Sequence, residues 1–217
     1  MKLDVIIPCY NEEGNIFLLN DTLKDTLKDI NYKLIYINDG SQDKTYEKLE
    51  TIYNQDKAHI KVINFSRNFG KDAAMFAGMK YSKSRYCAII DSDLQQNPKY
   101  LIKMLNFLEE NPDYDQVAMI NKERSNDNFF VKLLKKLFYK FINLLSDTNF
   151  KEDASDFRMF TMNAKEAILN LGEINRFSKG IFSWIGFKTN YLEYKVEKRY
   201  SGKSNFNLNN SFKYDFN

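Results

Sequence analysis

The chain has 217 residues, enough for one large domain or two small ones, and its 43% hydrophobic and 28% charged residues exclude wholesale disorder. A formal charge of +3 is too small to imply nucleic-acid binding. Two cysteines and a single histidine exclude a Cys/His zinc site, which needs about four such ligands.

The first half alternates strand and helix patterns. "LDVIIP" (3–8) is a short apolar strand, and residues 14–29 carry Ile16, Leu19, Leu23 and Leu27 at helical spacing, continued by Ile30 just beyond. "KLIYIN" (33–38) predicts a second strand, and 43–54 a helix capped by Ser41 or Asp43. "IKVINF" (60–65) is a third strand, 70–81 a third helix and "YCAII" (86–90) a fourth strand. A helix begins at Pro98, a favoured first position, and "QVAMI" (116–120) predicts a fifth strand. Strands alternating with helices in this way predict a mostly parallel sheet covered on both faces. Cys9 and Cys87 lie in two of the apolar runs and read as buried free thiols of a reducing compartment.

The second half has another character. Residues 129–145, "FFVKLLKKLFYKFINLL", predict an apolar helix studded with Lys132, Lys135, Lys136 and Lys140. A shorter helix follows at 163–171, then the aromatic "RFSKGIFSWIGF" (176–187), and 189–198 alternates loosely as a strand. From Ser201 the chain is polar and Asn-rich, and 205–217 reads as a loose tail. Neither a repeat nor a linker divides the chain, which predicts one domain over 1–217. The opening "MKLDVIIPCYNEE" lacks the apolar core of a signal peptide, and no stretch reaches the roughly 18 apolar residues of a membrane span. The expectation is a cytoplasmic chain without a transmembrane helix.

Each of the first four strands runs into a polar cluster. These are Pro8, Tyr10, Asn11, Glu12 and Glu13; then Asn38, Asp39, Gly40 and Ser41; then Ser66, Arg67, Asn68 and Gly70; then Asp91, Ser92 and Asp93. In an open parallel sheet those ends share one edge, where ligands bind at a reversal of strand order. Loops are polar in most proteins, so one cluster decides nothing, but four on one edge point to a site. In "YCAIIDSDLQQNP" (86–98), Asp91 and Asp93 stand two residues apart at a strand end. Extended backbone would aim both the same way, with Gln95 as a third oxygen donor for a hard cation. The competing explanation, capping of the next helix, accounts for one acid better than for two.

In these motifs the chain resembles glycosyltransferase family 2, and within it the polyprenyl-phosphate glycosyltransferases of the dolichyl-phosphate mannose synthase-like branch. "VIIPCYNEEGNI", "INDGSQDKT", "FSRNFGKDAAMFAGM", "DSDLQQNP", "DFRMF", "RFSKGIFSWIGFK" and "RYSGKSN" follow in the family's order over roughly residues 3–207. The second motif usually has two acids where this chain has Asn38 and Asp39.

The resemblance implies an α/β GT-A fold, a Rossmann-like, mostly parallel sheet flanked by helices. Residues 1–122 would form the nucleotide-sugar half and 123–204 a helical and aromatic acceptor half. It implies that Pro8, Tyr10, Glu12 and Asp39 hold base and ribose, with Arg67 and Lys71 nearby. Asp91, Asp93 and Gln95 would take Mg²⁺ or Mn²⁺ and the diphosphate, with Asp91 against the nucleotide sugar and Asp93 also catalytic. Asp156 of "DFR" corresponds to the acid near the reacting centre, with an ion pair to Arg158 as its alternative explanation. Arg124, Arg199 and Lys203 match positions suited to an acceptor phosphate, or are ordinary surface charges.

The implied reaction is inverting transfer of a hexosyl or N-acetylhexosaminyl group from a UDP- or GDP-sugar. Its acceptor would be a polyprenyl phosphate such as undecaprenyl phosphate, serving a cell-envelope glycan. The lysine-studded helix could then dock peripherally on an anionic membrane surface at the inner face, or simply pack in the core. Phe177, Phe182, Trp184 and Phe187 could line an acceptor channel, or simply pack. Relatives of this branch continue past "GKS" into a further helix and two membrane spans, whereas this sequence stops at Asn217. Membrane attachment and a homo-oligomer held by those spans depend on that region. Two other readings stay open at this stage. One is a family 2 enzyme with a glycan or teichoic-acid acceptor, and the other is a non-catalytic membrane-surface module of the same fold.

Overall fold

The computed structural model describes residues 1–121, 154–171, 182, 185–197 and 200. Seven strands form one sheet: β1 (Leu3–Cys9), β2 (Tyr32–Asn38), β3 (Ile60–Asn64), β4 (Tyr86–Ile89), β5 (Gln116–Asn121), β6 (Ala154–Thr161) and β7 (Thr189–Tyr194). The helices between them are α1 (Ile16–Leu27), α2 (Thr45–Gln55), α3 (Lys71–Tyr81), α4 (Lys99–Glu110) and α5 (Met162–Asn170). The strand order is β3-β2-β1-β4-β6-β5-β7. β6 alone runs antiparallel to its neighbours β4 and β5, while β7 pairs parallel with β5.

Every residue of β1 is buried, because helices cover both faces of a central parallel strand. Leu3, Val5, Ile7 and Cys9 face one core with the apolar stripes of α1 and α4, Leu19 and Leu23 against Leu101 and Leu105. Ile6, Ile35 and Ile37 face the other, where Ala74, Met75 and Met79 of α3 meet Ala164 and Ile168 of α5. A side chain at Gly78 would place its Cβ 2.5 Å from Ile6 Cγ2 and 2.9 Å from Ile37 Cδ1, so α3 lies directly on the sheet. Both cysteines are buried free thiols, and burial pushes their pKa values up.

The predicted elements through residue 121 appear within a residue or two of their expected bounds. The strand over 154–161 was not anticipated. Its charged Asp156 and Arg158 hide the alternation in which Phe157 and Met159 enter one core and Phe160 the other. The expected helix over 129–145 and the tail over 205–217 lie outside the described residues. Among the described residues, no helix is long and apolar enough to cross a membrane.

Candidate active site

Strand order reverses between β1 and β4, and it is beyond the carboxyl ends at such a reversal that open α/β sheets bind ligands. The polar clusters gather there. The β1–α1 loop is laced to the β2–α2 loop by backbone amides: Asn11 N–H donates to Ser41 Oγ (3.0 Å) and Glu12 N–H to Thr45 Oγ1 (2.8 Å). Gln42 N–H returns a bond to Asn11 Oδ1 (2.8 Å), and Asn11 has the left-handed φ of 55° that such a turn demands. The Glu12 carboxylate accepts from Asn15 Nδ2 (2.5 Å). Pro8 is buried in β1, two residues beyond its last pair with β4, and Tyr10 follows at the half-buried start of the loop. The N-cap of α2 is Lys44, which makes no side-chain cap bond; Asp43 Oδ1 accepts from Thr45 N–H at 2.9 Å just before it, while Ser41 serves the neighbouring loop.

Asp39, 3% exposed, acts as a clamp. Its Oδ1 accepts from Phe69 N–H (2.7 Å) and its Oδ2 from Gly70 N–H (3.0 Å). Burial raises its pKa against the pull of those two amides. The next residue, Gly40, has φ +63° and presses against the backbone of Arg67 and Asn68. The β3–α3 loop is thereby fixed just before α3 begins at Lys71. Arg67 stacks its guanidinium 4.4 Å from the Phe69 ring centroid.

Beyond β4, the Lys71 ammonium stands 2.5 Å from Asp91 Oδ1 and 3.0 Å from Asp156 Oδ2. Desolvation of the ammonium between the two carboxylates pulls the Lys71 pKa down, but the charges of Asp91 and Asp156 outweigh it and leave it raised. The antiparallel register explains the meeting. Ile89 pairs with Arg158, so two residues beyond the end of β4 and two residues earlier on β6, Asp91 comes opposite Asp156. Gln96, buried, fastens Asp91 a second time: its Oε1 accepts Asp91 N–H (2.9 Å) and its Nε2 donates to Asp91 Oδ2 (2.8 Å). Asp93, 8% exposed, accepts from Gln95 N–H at 3.1 Å. Helix α4 starts at Lys99 behind Pro98, so neither aspartate caps it. Beneath this group the buried Arg158 donates from Nε and Nη2 to the Ser155 carbonyl and lies 4.6 Å from the Phe182 ring centroid.

Asp91 and Asp93 are hard oxygen donors of the type that suits Mg²⁺ or Mn²⁺ when phosphate oxygens complete the shell. Among the described residues, no group of three or more His, Cys, Asp or Glu side chains could hold a metal alone. The donor set therefore fits an ion shared with a ligand's phosphates better than a closed protein cage. Of Gln95 the structure shows backbone bonds, its carbonyl accepting Glu197 N–H at 2.9 Å. Reading the sequence picked out Gln95 and passed over Gln96. The two adjacent glutamines gave no signal for which one turns inward. Arg124, Arg199 and Lys203 lie outside the described residues, as do Phe177 and Trp184.

The sequence model of Glycosyl transferase family 2 matches residues 4–169. CsbB of Bacillus subtilis, a protein named as a glycosyltransferase, is 38% identical over 215 residues, 98% of this chain and 64% of its own length. The bactoprenol glucosyl transferase of Shigella phage SfX is 32% identical over 95% of this chain and 68% of its own. The chain thus spans about two thirds of the length of the curated relatives it matches. Among solved structures, glucosyl-3-phosphoglycerate synthase from Mycobacterium tuberculosis, in complex with Mn²⁺, UDP and glucosyl-3-phosphoglycerate, superposes with a TM-score of 0.62. The identity is 16%, over 93% of this chain and 73% of the other. This likeness and the sheet order establish the GT-A fold expected from the sequence.

Proposed function

We propose a reaction for this chain, which belongs to glycosyl transferase family 2: inverting transfer of a hexosyl or N-acetylhexosaminyl group from a UDP- or GDP-sugar to a polyprenyl phosphate. The observation that carries the reading is the meeting of Asp91 and Asp156, through Lys71, at the reversal of strand order. The name of the phage relative, a bactoprenol glucosyl transferase, supports a polyprenyl-phosphate acceptor. The acceptor would be met at the inner face of the membrane.

In this reading the base and ribose lie along Pro8, Tyr10, Glu12 and Asp39, with Arg67 beside them. Asp91, Asp93 and Gln95 would hold Mg²⁺ or Mn²⁺ with the diphosphate, and the ion would supply charge neutralisation for the leaving group. An oxygen of the acceptor phosphate forms a bond to the anomeric carbon as the bond to the diphosphate oxygen breaks on the opposite face. That phosphate is already ionised, so Asp156 has little proton to abstract. Its work is to orient the acceptor and to stabilise positive character at the anomeric carbon. Arg124, Arg199 and Lys203 would grip the lipid phosphate, and positioning supplies much of the rate.

The test is transfer of radiolabelled sugar to undecaprenyl phosphate in detergent by wild type and by Asp156→Asn. We expect a loss of about 10²–10³-fold for the variant, the size of one lost electrostatic contact to the transition state. Equal rates would remove Asp156 from the reaction.

A further inference from the structure

We propose that Lys71 is a placeholder cation: it occupies the Asp91 oxygen that a divalent ion needs, so that the ion enters only together with a diphosphate that draws the ammonium away. This rests on the donor-site reading above. Both oxygens of Asp91 are engaged, Oδ1 by Lys71 and Oδ2 by Gln96. Gln96 is buried and bonds Asp91 at two points, so it is the fixed partner. Lys71 is the movable one, with 41% of its side chain exposed and a long flexible stem.

Its backbone, in contrast, is set. The Asp39 carboxylate holds the two amides immediately before it, at Phe69 and Gly70. The ammonium therefore swings about a fixed root at the first residue of α3. A divalent ion arriving alone meets a like charge already seated at Asp91. A diphosphate gives the ammonium a new anion and the ion an open carboxylate oxygen. When Lys71 leaves Asp91 it also leaves Asp156, its second partner at 3.0 Å. Donor entry would thus release Asp156 from Lys71 before the acceptor arrives, which makes the order of binding donor first.

The experiment titrates Mn²⁺ into wild type, Lys71→Met and Lys71→Gln, alone and with UDP or GDP, reading free Mn²⁺ by electron paramagnetic resonance. Two variants guard against one that folds poorly, and circular dichroism checks both. In wild type, one nucleotide should tighten Mn²⁺ binding by about tenfold or more, whereas either variant should bind Mn²⁺ alone about tenfold tighter than wild type alone. Lys71→Arg, which keeps the charge, should suppress Mn²⁺ as wild type does. Folded variants that bind Mn²⁺ alone no tighter than wild type would overturn the placeholder while leaving the donor site standing. Failure of the donor site itself would look different: neither UDP nor GDP would tighten Mn²⁺ in wild type, and the placeholder would fall with it.

Discussion

Replacing Gly40 by alanine tests how the donor edge is built. An added Cβ would lie 2.2 Å from the Arg67 carbonyl carbon and 2.5 Å from Asn68 N. Both are backbone atoms, so no rotamer change relieves the contact. Ordinary contact begins near 3.4 Å, so the loop must retreat by about 1.2 Å. The two bonds that Asp39 accepts, at 2.7 and 3.0 Å, would stretch by up to that amount, to at most about 3.9 and 4.2 Å, beyond hydrogen-bond range. Hydrogen bonds to a charged group contribute ~1.5–3 kcal/mol each, and water at this open edge replaces part of the loss. A non-glycine residue at φ +63° adds ~1–2 kcal/mol. The total of ~2.5–5 kcal/mol corresponds to a fall in Tm of roughly 5–20 °C. Because Lys71 is rooted in the same loop, affinity for the nucleoside diphosphate should fall by about tenfold or more. Gly186→Ala is the control. It has φ +72° and no described atom within 4 Å of the added Cβ, so it carries only the backbone cost. Differential scanning fluorimetry and nucleotide titration read both variants. If Gly40→Ala unfolds no lower than Gly186→Ala and keeps its nucleotide affinity, the clamp does not support the site.

Gln96→Leu removes both bonds to Asp91 and should weaken Mn²⁺ binding in the presence of nucleotide by about 10–100-fold, measured by calorimetry. Gly78→Ala forces α3 off Ile6 and Ile37 and should cost ~1–3 kcal/mol, with Tm as the readout. A matching UDP or GDP at 100 times its Kd with Mn²⁺ should stabilise by ~2.7 kcal/mol. That is a rise of roughly 5–10 °C which a chelator abolishes. Asp56 provides a pH test. Burial alone would raise its pKa, but Lys24 at 3.0 Å and His59 at 2.9 Å outweigh it and leave it below the ordinary 3.8. A depressed carboxylate stabilises the fold above its unfolded pKa and loses that contribution as pH falls through the folded value. Both partners are substantially exposed, so Asp56→Asn should cost only ~0.5–1 kcal/mol at pH 7. The gap to wild type should close below about pH 4, followed by thermal melts across pH.

The part through residue 121 was legible because its strands are apolar runs and its helices carry one apolar stripe, as in α1 and α4. Their ends are marked by residues with local duties, such as Pro98 before α4 and Gly70 before α3. What sequence alone could not supply was contact across the sheet. Asp91 and Asp156 stand 65 positions apart, and only the β4–β6 register makes them neighbours. The capping explanation for Asp91 and Asp93 could be weighed in the sequence but was decided by where α4 begins, at Lys99. Gln96 was missed for a related reason. Leu94, at φ 63°, turns the backbone within the segment, and simple alternation no longer indicates which glutamine points inward.

The reversed strand also explains how one sheet edge could serve the two ligands proposed above. Ligands of parallel sheets gather at carboxyl ends, and β1, β2, β3 and β4 supply such ends. An additional parallel strand would supply another carboxyl end, and its amino-terminal residues would lie on the far side. By running backwards, β6 delivers its first residues to that same edge, which places Asp156 against the β4 end. The cost is a buried cation below it, because Arg158 falls two residues deeper on the same strand. Burial lowers the Arg158 pKa to about 10, against the opposing charge of Asp156, so the guanidinium stays protonated at neutral pH. Its bonds to the Ser155 carbonyl hold the backbone on which Asp156 sits, and its stacking on Phe182 ties that backbone to the aromatic segment. Asp156 is thus flanked by two unlike cations, Arg158 buried below and Lys71 partly exposed above. In the proposed order of binding, that asymmetry would let donor entry change the charge around Asp156 without disturbing the strand that carries it.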